Sequence, residues 1–347
     1  MGPVRPDPDP DSCRPARDRR LDTAVRERSG LSSSALRGVA GTAGSGRTGG
    51  TAGAIAMRLD YRPPLDWAAL LAFLGARAST GVDEVAGGVW RRTVRLGRQT
   101  GWVEVAADPG RPALRARASR SLAGALGPLT ARLRAVFDLD ARPDLVAAHL
   151  GRDARLAGAL RRHPGLRVPG AFDGFEAAVR VVLGQQVTVK AATTVAGRLV
   201  AALGEPLETP FPGLHRLAPT PEALMAAGEG RIAALGMPGA RARALLALAR
   251  AVAGGGLALD RPASPAALEQ LRALPGVGEW TAQVVALRAF GDPDAFPASD
   301  LAVMKALRAS SPREAEARSA RWRPWRSYAV VHLWTGLADA AGKETGG

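Results

Sequence analysis

Cysteine is all but missing from this chain, and lysine is scarce. Cys13 is the one cysteine in 347 residues, which rules out an internal disulfide, a cysteine-ligated zinc and a four-cysteine iron–sulfur cluster. A reducing, cytoplasmic setting is the expectation that follows. Lys190, Lys305 and Lys343 are the only lysines among 47 basic residues, so nearly all the positive charge is arginine. Together with 41 glycines, 26 prolines and abundant alanine, that bias reads as GC-rich codon usage, and it discounts the charge as evidence of function. No stretch reaches the roughly 18 uncharged apolar residues of a membrane span. The opening MGPVRPDPDPDSCRPARDRR also lacks the apolar centre of a secretory signal.

What is present supports a soluble, multidomain α+β protein. With 46% hydrophobic residues the chain can bury two or three compact cores. A net charge of +15 and a pI near 11.4 favour a polyanionic partner even after the discount. Residues 1–54 are rich in Pro, Gly and Arg and offer too little apolar surface to offset chain entropy, so they read as a disordered leader. Within them, LDTAVRERSGLSSSALR (residues 21–37) resembles the end of a helix-turn-helix regulator, which would make the leader a vestigial fusion.

Residues 55–139 read as a small antiparallel α+β domain. AIAMRLDY, VWRRTVRL, TGWVEVAA and ALRARAS carry strand patterning. Asp66 is placed to cap a helix with Trp67, Leu70, Leu71 and Leu74 on one face, and SLAGALGPLTARLRAVF returns to a helical period. From residue 140 to 340 only helices are expected, over 175–183, 190–203, 221–227, 241–253 and 265–274, with 341–347 a disordered tail.

The segment LEQLRALPGVGEWTAQVVALRAF places a helix, a tight hairpin at Leu274, Gly276, Val277 and Gly278, and a second helix from near Glu279. Glycines there let backbone amides approach a phosphate, and the positive end of the second helix adds to the attraction. Such a clamp grips duplex DNA without reading bases. By itself the segment equally suits an ordinary Pro-Gly turn. Asp300, in FPASD before LAVMKAL, suits an N-cap as well as an active carboxylate, and Ser299 is the alternative N-cap.

Several segments together decide between these readings: MRLDYRPPLDW (57–67), FEAAVRVVLGQQVTV (175–189), LGMPGARARALL (235–246), LPGVGEWTAQVVALRAF (274–290), FPASDLAVMKAL (296–307) and RWRPWRSYAVVHLW (321–334). In order and spacing they resemble the alkyl-base DNA glycosylases of the helix-hairpin-helix superfamily, in the bacterial 3-methyladenine DNA glycosylase II (AlkA-type) branch. The resemblance implies an all-α helix-hairpin-helix glycosylase core behind the N-terminal domain and base flipping out of duplex DNA. Asp300 matches the family's catalytic aspartate. Trp280 stands where bifunctional relatives carry a Schiff-base lysine, which implies hydrolysis without strand cleavage. Lys305, the only nearby lysine, reads as a solvated or phosphate-facing charge.

The resemblance also makes Trp280 and Trp334 base-pocket aromatics, Gln186 the plug for the vacated stack, and Thr281 a DNA contact with the hairpin residues. Val284 and Leu301 stand where a well-known member has tyrosines, so the pocket is less aromatic. Trp325, Tyr328 and Leu333 read as core of the last helix, with Arg326 pairing internally. Relatives hold a monovalent cation, sodium or potassium, on main-chain carbonyls, here those of Arg272, Leu274 and Val277, and no other cofactor is implied. The expected partner is duplex DNA carrying alkylated bases, engaged by a monomer in base-excision repair. Rival readings are a non-catalytic helix-hairpin-helix DNA binder, a bifunctional glycosylase-lyase for oxidised bases and a transcriptional regulator of the alkylation response.

Overall fold

A computed structural model describes residues 53–259, 261 and 266–344. The expectations for the leader through residue 52, including Cys13 and residues 21–37, lie outside the described residues, as do those for Pro265 and for residues 345–347. The first half is a five-stranded antiparallel sheet in the order β1-β5-β4-β3-β2, comprising β1 (Ile55–Asp60), β2 (Asp83–Ala86), β3 (Val89–Leu96), β4 (Gln99–Ala107) and β5 (Ala113–Ala118). Strict alternation on β1 sends Ile55, Met57 and Leu59 inward, as a sheet with one solvated face requires. Helix α1 (Trp67–Gly75) is capped by Asp66, whose side chain accepts the Ala69 amide. A 3₁₀ turn (Arg120–Ala125) leads into α2 (Leu126–Val136), and Leu129, Leu133 and Phe137 close the sheet's core.

The second half is helical: α3 (Pro143–Leu150), α4 (Ala154–Arg162), α5 (Gly174–Leu183), α6 (Val189–Leu203), α7 (Pro221–Ala233), α8 (Gly239–Ala253), α9 (Ala267–Arg272), α10 (Glu279–Val285), α11 (Leu301–Leu307), α12 (Pro312–Ser319) and α13 (Arg326–Glu344). Helix α5 buries Phe175, Ala177, Ala178, Val179, Val181, Val182 and Leu183, more than one face, as a helix at the centre of a bundle must. It sits in a second core shared with α8, α10, α11 and α13.

The structure departs locally from the sequence reading at four places. Helix α7 runs six residues past Ala227 by kinking at Gly228, where φ is 72°, a conformation glycine adopts freely. Helix α9 is shorter than expected and ends at Arg272, and α13 continues to Glu344, into the segment read as a tail. Strand β2, DEVA, was not foreseen because four residues with two acids carry no alternation.

Ion pairs tie the segments together. Arg326, nearly buried, meets Asp294 at 2.9 Å and Glu316 at 2.6 Å, the internal pairing the sequence suggested. His163 bridges the two halves, with Nδ1 at 2.8 Å from Asp66 and Nε2 at 2.9 Å from Asp339 on α13. Among the described residues no helix is long and apolar enough to cross a membrane.

Candidate functional site

A cleft of about 1230 Å³ opens between the two halves. Phe73, Asp83 and Arg92 enter it from the sheet side, and Glu176, Arg180, Trp280, Arg288, Asp300 and Trp334 from the helical side. This mostly apolar concavity with few converging polar groups has the character of a ligand site.

Asp300 serves both uses that the sequence left open. It caps α11, with Oδ1 accepting the Val303 amide at 3.0 Å. The same carboxylate lines the cleft and takes two indole N–H groups, Trp280 Nε1 on Oδ2 at 2.9 Å and Trp334 Nε1 on Oδ1 at 3.1 Å. Three donors fix its plane, and helix α11 presents its positive end to it. The structure thus brings Asp300, Trp280 and Trp334 into one constellation. Phe73 stacks on Trp334, with ring centres 6.3 Å apart and planes at 21°.

The hairpin between α9 and α10 splits by role. Gly276 has φ of 79°, and a Cβ there would stand 2.7 Å from the Ala244 side chain, so the turn is pressed against α8. Gly278 faces open space and begins α10 without a side-chain cap, leaving the amides of the first helical turn without partners inside the helix. Val277 and Thr281 are only 7% and 2% exposed. Val277 packs into the helical core, and Thr281 lines the cleft with its hydroxyl bonded to Gln185. Arg272 locks the hairpin from outside by pairing twice with Glu279, at 2.8 and 2.7 Å, and with Glu269 at 2.7 Å. The bond from Arg272 holds the Glu279 carboxyl below its usual range.

Gln186 is exposed at the cleft mouth with φ of 56°, an uncommon conformation for a non-glycine residue. Its neighbour Gln185, quoted in the motif but given no role by the sequence, holds the loop in place. Gln185 Nε2 donates to the Gly276 carbonyl and to Thr281 Oγ1, both at 2.9 Å, while its main-chain carbonyl accepts Arg241 at 2.5 Å. Leu301, beside Asp300, is 83% exposed at the rim, and Val284 is buried in the wall.

Sequence reasoning also missed the charged floor. The Arg77 guanidinium lies 3.7 Å from the Phe73 ring centre and that of Arg288 4.8 Å. Arg288 donates to the Pro169 carbonyl at 2.6 Å and to that of Gly170 at 3.1 Å. Burial lowers Arg77 to about 10, with Arg180 adding to the fall and Asp300 opposing it. Burial lowers Arg288 to about 9, and neighbouring Arg77 and Arg180 push the same way. Across the floor, Arg92 pairs with Glu176 at 2.6 Å, and burial raises Asp83 to about 6 against the pull of Arg92. These groups come from distant segments, so no local motif announces them. Among the described residues no lysine lines the cleft, and Lys305 is exposed on α11.

Comparison with known proteins gives consistent likenesses. Residues 56–173 match the AlkA N-terminal domain, and residues 179–327 match the HhH-GPD superfamily base excision DNA repair proteins. The chain is 44% identical over 294 residues to a probable bifunctional transcriptional activator/DNA repair enzyme AlkA of Mycobacterium tuberculosis, a match covering 83% of this chain and 58% of that protein. It therefore spans less than two thirds of that relative's length. It is 38% identical over 277 residues to DNA-3-methyladenine glycosylase 2 of Escherichia coli, covering 80% of this chain and 95% of that one. A solved structure, the 3-methyladenine DNA-glycosylase from Archaeoglobus fulgidus, shares the fold with a TM-score of 0.70 at 22% identity, over 80% of this chain and 97% of that chain.

Proposed function

The chain belongs to the HhH-GPD superfamily of base excision DNA repair proteins and to its AlkA family, and on that footing we propose that it is a monofunctional DNA glycosylase releasing alkylated purines from duplex DNA. The observation that carries this reading is the Asp300 carboxylate, held in the cleft by two indole donors and a helix cap.

Breaking the bond between C1′ and the base leaves positive charge on the deoxyribose as the bonding pair departs with the base. A fixed anion stabilises that charge and orients the water that adds to C1′. An N3- or N7-alkylated purine already carries positive charge and leaves neutral, so one carboxylate suffices. The faces of Trp280 and Trp334 attract such a cationic base. Extrusion needs a plug, and exposed Gln186 at the cleft mouth is the side chain placed to serve. The hairpin amides around Gly276 and Gly278 hold the backbone without reading sequence. The carbonyls of Arg272, Leu274 and Val277 form a neutral oxygen set suited to a sodium or potassium ion. That of Leu274 already accepts the Val277 amide at 3.1 Å, which leaves it a second lone pair. Bound there, the ion would add positive charge beside a phosphate. The protein acts as a cytoplasmic monomer in this reading.

The test is incubation of duplexes carrying single defined lesions, followed by alkali to cut at abasic sites. Asp300→Asn keeps a good N-cap and should lose base release by about 10²-fold or more. Borohydride should trap no adduct with abasic DNA, since among the described residues no lysine lines the cleft. Unchanged release by Asp300→Asn would overturn the mechanism, and efficient trapping would overturn the monofunctional assignment.

A further inference from the structure

A second groove of about 720 Å³ adjoins the main cleft and shares Val189 with it. It runs along α6 against the segment following α1, and its walls carry Thr80, Lys190, Thr193, Thr194 and Arg198. Three hydroxyls and two cations line it, with no carboxylate among the lining residues. Helix α6, VKAATTVAGRLVAAL, has no acidic residue along its whole length. Lys190, Thr194 and Arg198 recur at every fourth position, all exposed, and so share one face. Eight residues of helix span about 12 Å, the axial length of three to four phosphates of one strand at about 3.4 Å each. Lys190 and Arg198 form no ion pair among the described residues. Arg198 is steadied by donating to the Leu235 carbonyl at 3.2 Å.

The position of the groove identifies its occupant. The loop that carries Gln186 is pinned at one end to the hairpin through Gln185 and at the other runs directly into α6 at Val189. A strand clamped by the hairpin, with one nucleotide turned into the cleft, must leave the cleft past that loop, and the groove opens there. We propose that the groove holds the sugar-phosphate backbone of the same strand on the far side of the extruded nucleotide, with Lys190 and Arg198 neutralising its phosphates. Resting on the glycosylase reading, this deepens it: the enzyme grips the lesion strand on both sides, so the backbone cannot swivel back while the base is out. The contact is independent of sequence, as phosphate contacts are.

The experiment measures binding to an abasic duplex by fluorescence anisotropy across a salt series. Each lost phosphate contact lowers the slope of log K against log salt by about 1, so Lys190→Ala combined with Arg198→Ala should flatten it by about 2. Arg155→Ala, exposed on α4, should keep the wild-type slope. In a second arm, single neutral methylphosphonates are placed on either side of the abasic site. The wild type should lose affinity from both sides, and the double variant from one side only. A double variant with the wild-type slope and the two-sided pattern would sink the groove assignment alone. Failure of the wild type to bind abasic duplex would sink the glycosylase reading with it.

Discussion

Replacing Gln185 with leucine tests whether the hairpin and the loop at the cleft mouth work as one body. Leucine keeps most of the side-chain bulk but removes both donors, leaving the Gly276 carbonyl and the Thr281 hydroxyl without the partner each has at 2.9 Å. Net values of about 0.5–1.5 kcal/mol per bond give a loss of about 1–3 kcal/mol. The upper part of that range is favoured because Thr281 is only 2% exposed and water cannot readily replace the lost donor. For a chain of this size the melting temperature should fall by about 2 to 10 °C. A thermal melt of Gln185→Leu, Thr281→Val and the double variant closes a cycle, with an expected coupling of about 0.5–1 kcal/mol. Because the same bonds set the position of Gln186 relative to the hairpin, single-turnover base release should fall at least about tenfold. A leucine variant that melts within about 1 °C of the wild type and releases base at the wild-type rate would refute the coupling.

Gly276→Ala should destabilise the protein by about 2 kcal/mol, from the left-handed backbone and the contact with Ala244, and should weaken abasic-duplex binding. Gly278→Ala, facing open space, should leave the melting temperature unchanged. His163 carries a pH dependence. Burial pulls it down, but the bonds to Asp339 and Asp66 outweigh burial and raise it above 6.5. A raised pKa in the folded state contributes stability that is fully present below the unfolded value and lost as pH rises through the folded one. The melting-temperature gap between wild type and His163→Gln should therefore be widest near pH 6 and narrow toward pH 9, and a gap that widens with pH would contradict the bridge.

The hairpin, Asp300 and most strands were legible because each is local chemistry. Asp66 and Asp300 stand before helices as caps do, and β1 alternates without exception. Val277 and Thr281 were assigned to DNA because they belong to the motif. Their burial was legible too, since Val277, Thr281, Val284 and Val285 recur at helical period and all four are buried. Arg77, Asp83 and Arg288 were not legible at all. Each acquires its full setting only when distant segments meet, Arg77 beside Arg288 and Asp83 beside Glu176 and Arg180, and local sequence does not encode that meeting.

The cleft lies on the seam between two cores, with Phe73, Asp83 and Arg92 from one half and Asp300 with its two indole donors from the other. Under the glycosylase reading this divides the enzyme's inheritance. The hydrolytic group and its two indole supports travel with the helical half, whereas the facing wall of the cleft, with Phe73, Asp83 and Arg92, travels with the sheet. Change in the sheet domain can therefore alter which lesions are accepted while leaving the bond-breaking apparatus intact, so two lineages with the same carboxylate and hairpin could diverge in diet without losing a turnover.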